Sequence, residues 1–211
     1  MLKPRQGTIL LDENDITTMN RMEIARKMGY VPQSTARVFP ASVIDTVLMG
    51  RRPHLGWKSS ERDLDKVLEI LELLGIVEFA MRDFNEISGG QQQKVLIARA
   101  IAQEAGVLLL DEPTSNLDIR HQLEVMEIMT DIVRKSEISA VMAIHDLNLA
   151  SRYTDRILMM NGGKIFAAGE PTSVLTVENI KRVYGVEVLV KSDEERPYII
   201  PVRPINCSSG L

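Results

Sequence analysis

The sequence of 211 residues has few of the features that mark specialised classes of protein. Its single cysteine, Cys207, excludes an internal disulfide and fits a reducing compartment. No window approaches the roughly 18 consecutive apolar residues of a membrane span, and the opening residues MLKPRQGTILLDE have no signal-peptide core. The formal net charge of -4 gives no electrostatic reason to expect nucleic-acid binding. We therefore expect a globular domain that contacts any membrane through a partner.

The pattern of apolar residues predicts an α/β core. Spacings of three and four residues indicate helices over 61–74, 91 to about 105, about 120–136 and 172–184. Continuous apolar runs at 107–110 and 140–144 are typical of parallel strands that helices cover on both faces. Strand ends are expected at 8–11 and 30–31. A hairpin is expected at 156–168, where Asn161-Gly162 would supply the positive φ angles of a tight turn.

Two carboxylates follow the apolar run at 107–110. Asp111 and Glu112 would lie at a strand end, because Pro113 prevents the strand from continuing. Ligands of open parallel sheets bind beyond such ends, where Asp111 is suited to a hydrated Mg²⁺ and Glu112 to polarising a water molecule. An apolar strand that ends in Asp-Glu is common, so a capping or surface role also remains open at this point.

A second group of polar residues lies at a predicted helix start. Ser88 and Gln91 have the spacing of a capping box, which alone would explain them structurally. Gly89 and Gly90 would also let a phosphate approach the backbone closely, where free N–H groups and the helix dipole attract anions. The segment therefore predicts a helix cap, a phosphate contact, or both.

Two further candidates follow the predicted strands. His145 comes after the run at 140–144 and would lie near the edge that carries Glu112 if the two strands are neighbours; a structural histidine is the alternative. Asn116 and Asp118 follow the turn at Pro113, where the ordinary interpretation is an N-cap of the next helix.

Taken in order, these motifs resemble the ABC ATPase family over essentially the whole chain. ISGGQQQ at 87–93 is similar to the family signature, VLLLDEP at 107–113 to the Walker B strand with its catalytic glutamate, SNLD at 115–118 to the D-loop, and AIHDLN at 143–148 to the switch-histidine region. Gln33 in YVPQ fits the Q-loop. Five motifs in the family's order leave little room for a purely structural explanation.

The resemblance implies a P-loop NTPase-like sheet in a single domain of residues 1–211, with a helical subdomain inserted at about 38–104. It also implies that ATP and Mg²⁺ bind between two copies of the subunit. The resemblance implies that Ser88, Gly89, Gly90 and Gln91 face the γ-phosphate held by the other copy, and that Asp118 acts across the dimer contact. Asp111 would hold Mg²⁺ through water, and Glu112 would act on the attacking water. Gln33 would join metal, water and transporter movement, and His145 would contact the γ-phosphate.

A narrower resemblance is to the ATPases of importers for iron-siderophore complexes, haem and cobalamin. It rests on the runs at 42–57, 118–129 and 167–188. The implied partners are a second copy of the subunit, integral-membrane permease subunits and, indirectly, a substrate-binding protein. The implied location is the cytoplasmic face of the membrane, and no nucleic acid is involved.

One family motif is absent from the 211 residues: the phosphate-binding loop GxxxxGK[ST]. The only Gly-Lys pair, Gly163-Lys164, lies in the predicted hairpin and has Leu158 where the first glycine should be. We expect a segment of about 30–40 residues to be missing before the part that Leu2-Lys3-Pro4 resembles, and ATP binding by the chain alone to be impaired. Glu13 is a smaller departure, since the family usually has a turn glycine there.

Three interpretations of the chain remain open. It is an importer ATPase with an incomplete N-terminus, a regulatory or structural protein built on a crippled ATPase, or a non-transport ABC ATPase that acts on DNA or ribosomes. The third is disfavoured because neither a coiled-coil insertion nor a basic face is visible between Gln33 and Ser88. The second is hard to reconcile with intact Asp111, Glu112, Ser88 and His145.

Overall fold

The computed structural model describes residues 4, 6–33, 40–54, 60–115, 117–193 and 196–205. The chain divides into two compact units, Met1–Ala143 and Ile144–Leu211. None of the helices in the described ranges has the length and apolar character needed to span a bilayer.

The first unit is built around a parallel three-stranded sheet. Its helices are α1 (Arg21–Lys27), α2 (Val43–Leu48), α3 (Glu61–Leu73), α4 (Gly89–Ala102) and α5 (Ile119–Ser136). Its strands are β1 (Leu10–Leu11), β2 (Asn14–Asp15), β3 (Met28–Val31), β4 (Val107–Asp111) and β5 (Ser139–Ala143). The sheet order is β3-β4-β5 with β4 in the centre, while β1 and β2 form a separate antiparallel pair. The predicted α/β class with a parallel sheet is therefore confirmed.

Helices cover one face of this sheet. Val31, Leu108 and Leu110 are buried in one core with residues of α4 and α5, such as Val95 and Met129. Burying these apolar side chains is the main stabilising contribution here, at roughly 1.5–3 kcal/mol for each large side chain. The opposite face is more open.

The prediction that helices cover both faces of the strands is wrong for the described residues. On the opposite face Tyr30 is 52% exposed and Val141 is 56% exposed. Strand side chains alternate between faces, so a continuous apolar run does not by itself place a second layer.

An ionic network joins the helical part of the first unit. A 3₁₀ turn at Met49–Arg51 follows α2. The Arg51 guanidinium donates to Asp63 at the start of α3 (3.0 Å), to the Ala102 carbonyl at the end of α4 (2.9 Å) and to Glu104 (2.6 Å). Hydrogen bonds from Ser60, followed by that from Arg51, lower the pKa of Asp63 to about 2. One largely buried side chain thereby ties together the turn, α3 and α4.

The turn between β1 and β2 has left-handed backbone at two non-glycine residues. Asp12 has φ 48° and Glu13 has φ 64°. An L side chain in this region costs about 1–2 kcal/mol, which gives a physical reason for the glycine that the resemblance leads one to expect at Glu13.

In the described part of the second unit, residues 144–193 and 196–205, there are two antiparallel strand pairs and three helices. Its elements are α6 (Leu147–Tyr153), β6 (Ile157–Asn161), β7 (Lys164–Gly169), α7 (Pro171–Val174), α8 (Val177–Tyr184), β8 (Val186–Asp193) and β9 (Arg196–Pro204). β6 pairs with β7, and β8 pairs with β9. Its core contains Met159, Val174, Leu175, Ile180, Val188 and Ile199.

Two local predictions for this unit need correction. The single helix expected at 172–184 is two helices, because Leu175 leaves helical geometry and the Thr176 hydroxyl caps α8 by accepting from the Asn179 amide at 3.2 Å. The hairpin at β6 and β7 is confirmed, but its positive φ angles belong to Gly162 (55°) and Gly163 (76°), while Asn161 is the last residue of β6.

Candidate functional site

The carboxyl end of β4 holds Glu112 in a strained backbone conformation. Glu112 has φ 45°, a region that costs a non-glycine residue roughly 1–3 kcal/mol. Three hydrogen bonds hold it there: its N–H donates to the Ala143 carbonyl (3.0 Å), and its carbonyl accepts from the Ser115 amide (3.0 Å) and hydroxyl (2.9 Å). Such strain persists where the surroundings over-determine it, and it clusters at active sites. The conformation marks this strand end as a candidate site.

The structure brings Gln33 to the carboxylate of Glu112. Gln33 Nε2 donates to Glu112 Oε2 at 2.7 Å, although the two residues are 79 positions apart. The parallel register explains this approach, because Val31 pairs with Leu110 and the residues that follow each strand therefore leave the sheet at the same edge.

The neighbouring strand also supplies a contact to Asp111. The Tyr30 hydroxyl donates to Asp111 Oδ2 at 3.4 Å, which is a long hydrogen bond. Tyr30 was not among the residues predicted for the site. Its place three residues before Gln33, on a strand predicted to end nearby, was the available signal.

The carboxylate oxygens at this edge are suitable ligands for a magnesium ion that keeps most of its water molecules. Asp111 and Glu112 offer carboxylate oxygens, the ligands that Mg²⁺ prefers. The described residues contain no group of three or more His, Cys, Asp or Glu side chains arranged to hold a metal by themselves. Mg²⁺ in nucleotide sites is commonly held by one or two carboxylates together with water and phosphate oxygens, so this sparse set is compatible with it.

The start of α4 has the predicted capping box. The Ser88 hydroxyl accepts from the Gln91 amide (3.4 Å), and the Gln91 side chain accepts from the Ser88 amide (2.9 Å). Ser88 and Gly89 are exposed. Because α4 has 14 residues, its N-terminus carries the partial positive charge of a well-formed helix. The structural and phosphate-binding interpretations of this segment are thus compatible.

Asp118 and Gly90 are brought together by His121. Asp118 caps α5 by accepting from the His121 amide at 3.0 Å, and His121 Nδ1 lies 2.8 and 2.9 Å from its two carboxylate oxygens. The hydrogen bonds from the His121 backbone and then its side chain lower the pKa of Asp118. The ring also packs against Gly90, where an added Cβ would lie 3.2 Å from Cδ2. His121 lies in the run at 118–129, but no local pattern predicted a role for it.

His145 is exposed and belongs to the second unit, just before α6. The Asp146 side chain caps that helix by accepting from the Asn148 amide (2.8 Å) and the Leu149 amide (3.0 Å). β4 and β5 are neighbours, as the prediction for His145 required. The approach of His145 to the site of Glu112 stays a prediction.

Several predicted features lie outside the described residues. They are Asn116, Cys207, residues 55–57 of the run at 42–57, and Leu2 and Lys3.

The sequence matches known proteins along most of its length. The profile of the ABC transporter family matches residues 1–115. An uncharacterized ABC transporter ATP-binding protein of Methanocaldococcus jannaschii is 46% identical over 202 residues, which cover 96% of this chain and 79% of that protein. A cobalamin import ATP-binding protein of Halobacterium salinarum is 38% identical over 193 residues, covering 92% of this chain but only 48% of that relative.

Solved structures share the fold. A chain from a structure reported as a metal-chelate type ABC transporter in an inward-facing conformation has a TM-score of 0.77 and 32% identity, covering 83% of this chain and 73% of that one. A dimeric ATP-binding cassette in a post-hydrolysis state with ADP and Pi has a TM-score of 0.70 and 27% identity, covering 80% and 75%. With the signature-like helix start and the strand-end carboxylates in place, these matches show that the chain belongs to the ABC transporter family as an ATP-binding subunit of the ATPase type.

Proposed function

We propose that this chain is the ATP-hydrolysing subunit of an ABC importer, and that the attacking water is activated at Glu112. The observation that carries the proposal is the Gln33–Glu112 hydrogen bond of 2.7 Å at a strained strand end. A carboxylate that is held by its backbone and oriented by an amide is suited to positioning a water molecule and accepting its proton.

The other residues of this strand end would serve the nucleotide. Asp111 would hold Mg²⁺ through water, and the metal, when bound, would neutralise charge on the phosphate oxygens. Gln33 follows the end of β3 by two residues, and its side-chain amide is bonded to the carboxylate of Glu112. We assign it the role of joining water, metal and movement of the transporter.

The signature side would act on a nucleotide held by a second copy of the chain. Ser88, Gly89, Gly90 and Gln91 present a capped helix N-terminus, which suits a γ-phosphate. Asp118 would act across the dimer contact, and His145 would contact the γ-phosphate. The dimeric relative that holds ADP and Pi supports a shared site of this kind.

Residues 1–211 alone should bind ATP weakly, because they contain no GxxxxGK[ST] loop to surround the phosphates. Titration of the purified chain with labelled ATP measures this, and micromolar binding would contradict it. For activity measurements we define the P-loop-extended subunit as residues 1–211 preceded by an N-terminal segment that carries this motif.

Glu112→Gln in the P-loop-extended subunit tests the catalytic assignment. The amide keeps the size of the side chain and loses the base, so nucleotide affinity should be unchanged while hydrolysis slows by roughly 10² to 10⁴. Glu137→Gln is the matched control, because Glu137 is also a left-handed glutamate (φ 52°) but lies exposed at the end of α5. Hydrolysis at the parental rate in Glu112→Gln would remove this residue from catalysis.

The proposed partners are two permease subunits, which would hold the ATPase dimer at the cytoplasmic face of the membrane, and indirectly a substrate-binding protein. We further propose that residues 38–104 form the helical subdomain that receives the permease. The relatedness to a cobalamin import protein supports a metal-chelate cargo such as a ferric siderophore, haem or cobalamin.

The cargo is tested by uptake into vesicles that hold the P-loop-extended subunit and its permease. Ferric siderophore, haem and cobalamin are offered in parallel, with a sugar and an amino acid as controls. ATP-dependent uptake of one chelate is expected. Uptake of a control compound without any chelate would overturn the cargo assignment and leave the ATPase assignment standing.

A further inference from the structure

His121 lies between Asp118 and the signature-like run at 87–93, which we call the signature segment. One side of its ring bonds to Asp118 through Nδ1, at 2.8 Å from Oδ1. Other ring atoms lie against Gly90: a Cβ added at Gly90 would be 3.2 Å from Cδ2, 3.4 Å from Cγ and 3.6 Å from Nε2. The imidazole therefore touches the first turn of α4 while it is bonded to the residue that caps α5.

A second contact ties the same two helices one turn further on. Lys94 Nζ lies 3.0 Å from Glu124 Oε2, and the Lys94 side chain is only 15% exposed. Lys94 is four residues after Gly90, and Glu124 is three residues after His121, so the two contacts stack along facing sides of α4 and α5. At the start of α4 the contact with α5 is made by the His121 ring on Gly90, and the same ring is bonded to Asp118, so His121 governs the spacing between the start of α4 and Asp118.

We propose that His121 is a positioning residue for ATP hydrolysis. It fixes the spacing between the signature segment and Asp118. The signature segment can then meet the nucleotide of the partner copy at the same time as Asp118 meets the dimer contact. This inference rests on the proposed function, because it assigns a purpose to a spacing that matters only if both segments serve one shared site.

The contacts predict how removal of the side chain should act. His121→Ala keeps the backbone amide that Asp118 caps, so α5 should still begin at the same residue. Asp118 would lose its side-chain donor, and Gly90 would lose its neighbour. A misplacement of about 1 Å can lower turnover by a factor near 10². Catalysis should therefore suffer much more than folding.

The experiment compares the parent P-loop-extended subunit with His121→Ala, His121→Asn and Arg120→Ala. Arg120 is the matched control, because it lies on the same turn of α5, its side chain is 85% exposed, and its ion pair with Glu124 is a surface pair. We expect kcat of His121→Ala to fall roughly tenfold to a hundredfold, with KM for ATP and Tm close to the parent. His121→Asn, which retains an N–H donor, should lie between alanine and the parent, and Arg120→Ala should match the parent.

Two results would overturn the inference while the proposed function stands: an unchanged kcat in His121→Ala, or a fall in kcat that follows an equal loss of folded protein. A parent subunit without ATPase activity would instead refute the proposed function itself. The contact between the His121 ring and Gly90 is tested separately, by measuring Tm. Gly90→Ala should lower Tm in the parent and lower it less in His121→Ala, and equal shifts in both backgrounds would contradict the packing of His121 on Gly90.

Discussion

Gly50→Ala should be one of the most destabilising single-methyl changes in the first unit. Gly50 is buried in the 3₁₀ turn at Met49–Arg51. A Cβ at this position would lie 2.1 Å from the Arg99 carbonyl oxygen, 3.0 Å from the Arg99 carbonyl carbon and 3.2 Å from the Ala102 Cβ. The turn therefore rests directly on the backbone of α4.

Neither side of this contact can move easily. On one side, Ala98, Ala100 and Ala102 pack α4 into the core. On the other side, Arg51 holds the turn to α3 and α4. Carbon atoms are at their optimal separation near 3.5–4.0 Å, so the turn must retreat by more than about 1 Å. Overpacking commonly costs about 1–3 kcal/mol, and a clash with backbone belongs at the upper end, near 3 kcal/mol.

Urea denaturation and thermal unfolding measure the effect. For a chain of this length, a loss of about 3 kcal/mol lowers Tm by roughly 6–12 °C. Gly106→Ala is the control, because a Cβ at Gly106 meets nothing within 4 Å and its φ is not left-handed. It should be neutral or stabilising by up to about 1 kcal/mol. If Gly50→Ala unfolds at the same urea concentration as Gly106→Ala, the close approach of the turn to α4 is refuted.

Three further outcomes follow from the first unit. Glu13→Gly should raise the free energy of unfolding by about 0.5–1 kcal/mol, because relief of the left-handed strain exceeds the added flexibility of the unfolded chain; a lower urea midpoint would contradict this. Arg51→Lys should lower the free energy of unfolding by about 1–3 kcal/mol, since an ammonium cannot reproduce the guanidinium contacts. Lys66 also contacts Glu104, at 2.9 Å, but this ion pair is exposed, so Lys66→Ala should change the free energy of unfolding by less than about 1 kcal/mol. Because the pKa of Asp63 is about 2, below its ordinary 3.8, its contribution to stability is complete above pH 3.8 and is lost as the pH falls toward 2. Asp63→Asn should remove that part of the pH dependence of unfolding. If the free energy of unfolding of Asp63→Asn falls between pH 3.8 and 2 as it does in the parent, Asp63 is not the source of this acid sensitivity.

Elements with one strong local signal were predicted well. The helix expected at 61–74 is Glu61–Leu73, and that expected at about 120–136 is Ile119–Ser136. In both, apolar side chains recur at three and four residues because one face is buried. β4 was predicted because its apolar run stops at Asp111 and Pro113.

Elements that depend on tertiary contacts were not predicted. β8 and β9 form eight residue pairs although three prolines lie in β9, and prolines argue against a strand. The short helix α1 has no buried residue and therefore no apolar stripe; its capping box at Asn20 and Glu23 was the one local signal. The break at Leu175 was missed because a buried leucine fits a helix pattern equally well.

For the candidate site, the sequence predicted the residue types and the structure supplied their partners. The strand-end position of Asp111 and Glu112 follows from local pattern, as does the capping box at Ser88. The left-handed φ of Glu112 does not, because it depends on bonds to Ala143 and Ser115. The role of His121 was also hidden, since its contact with Gly90 joins two helices whose packing no local pattern encodes.

The Arg51 network has a mechanical consequence for α4. This helix of 14 residues is a stiff rod about 21 Å long, with the Arg51 contact near one end and Ser88 at the other. Packed helices respond to force as nearly rigid bodies, since their interior is as dense as a crystal. A push on the turn at Met49–Arg51 reaches α4 through the direct contact of Gly50 with the Arg99 backbone, whereas a pull away from α4 must either break the guanidinium contacts or displace the far end of the rod. The hydrogen bonds of the Arg51 side chain therefore limit the pulling force, but not the pushing force, that the turn can transmit to the signature segment.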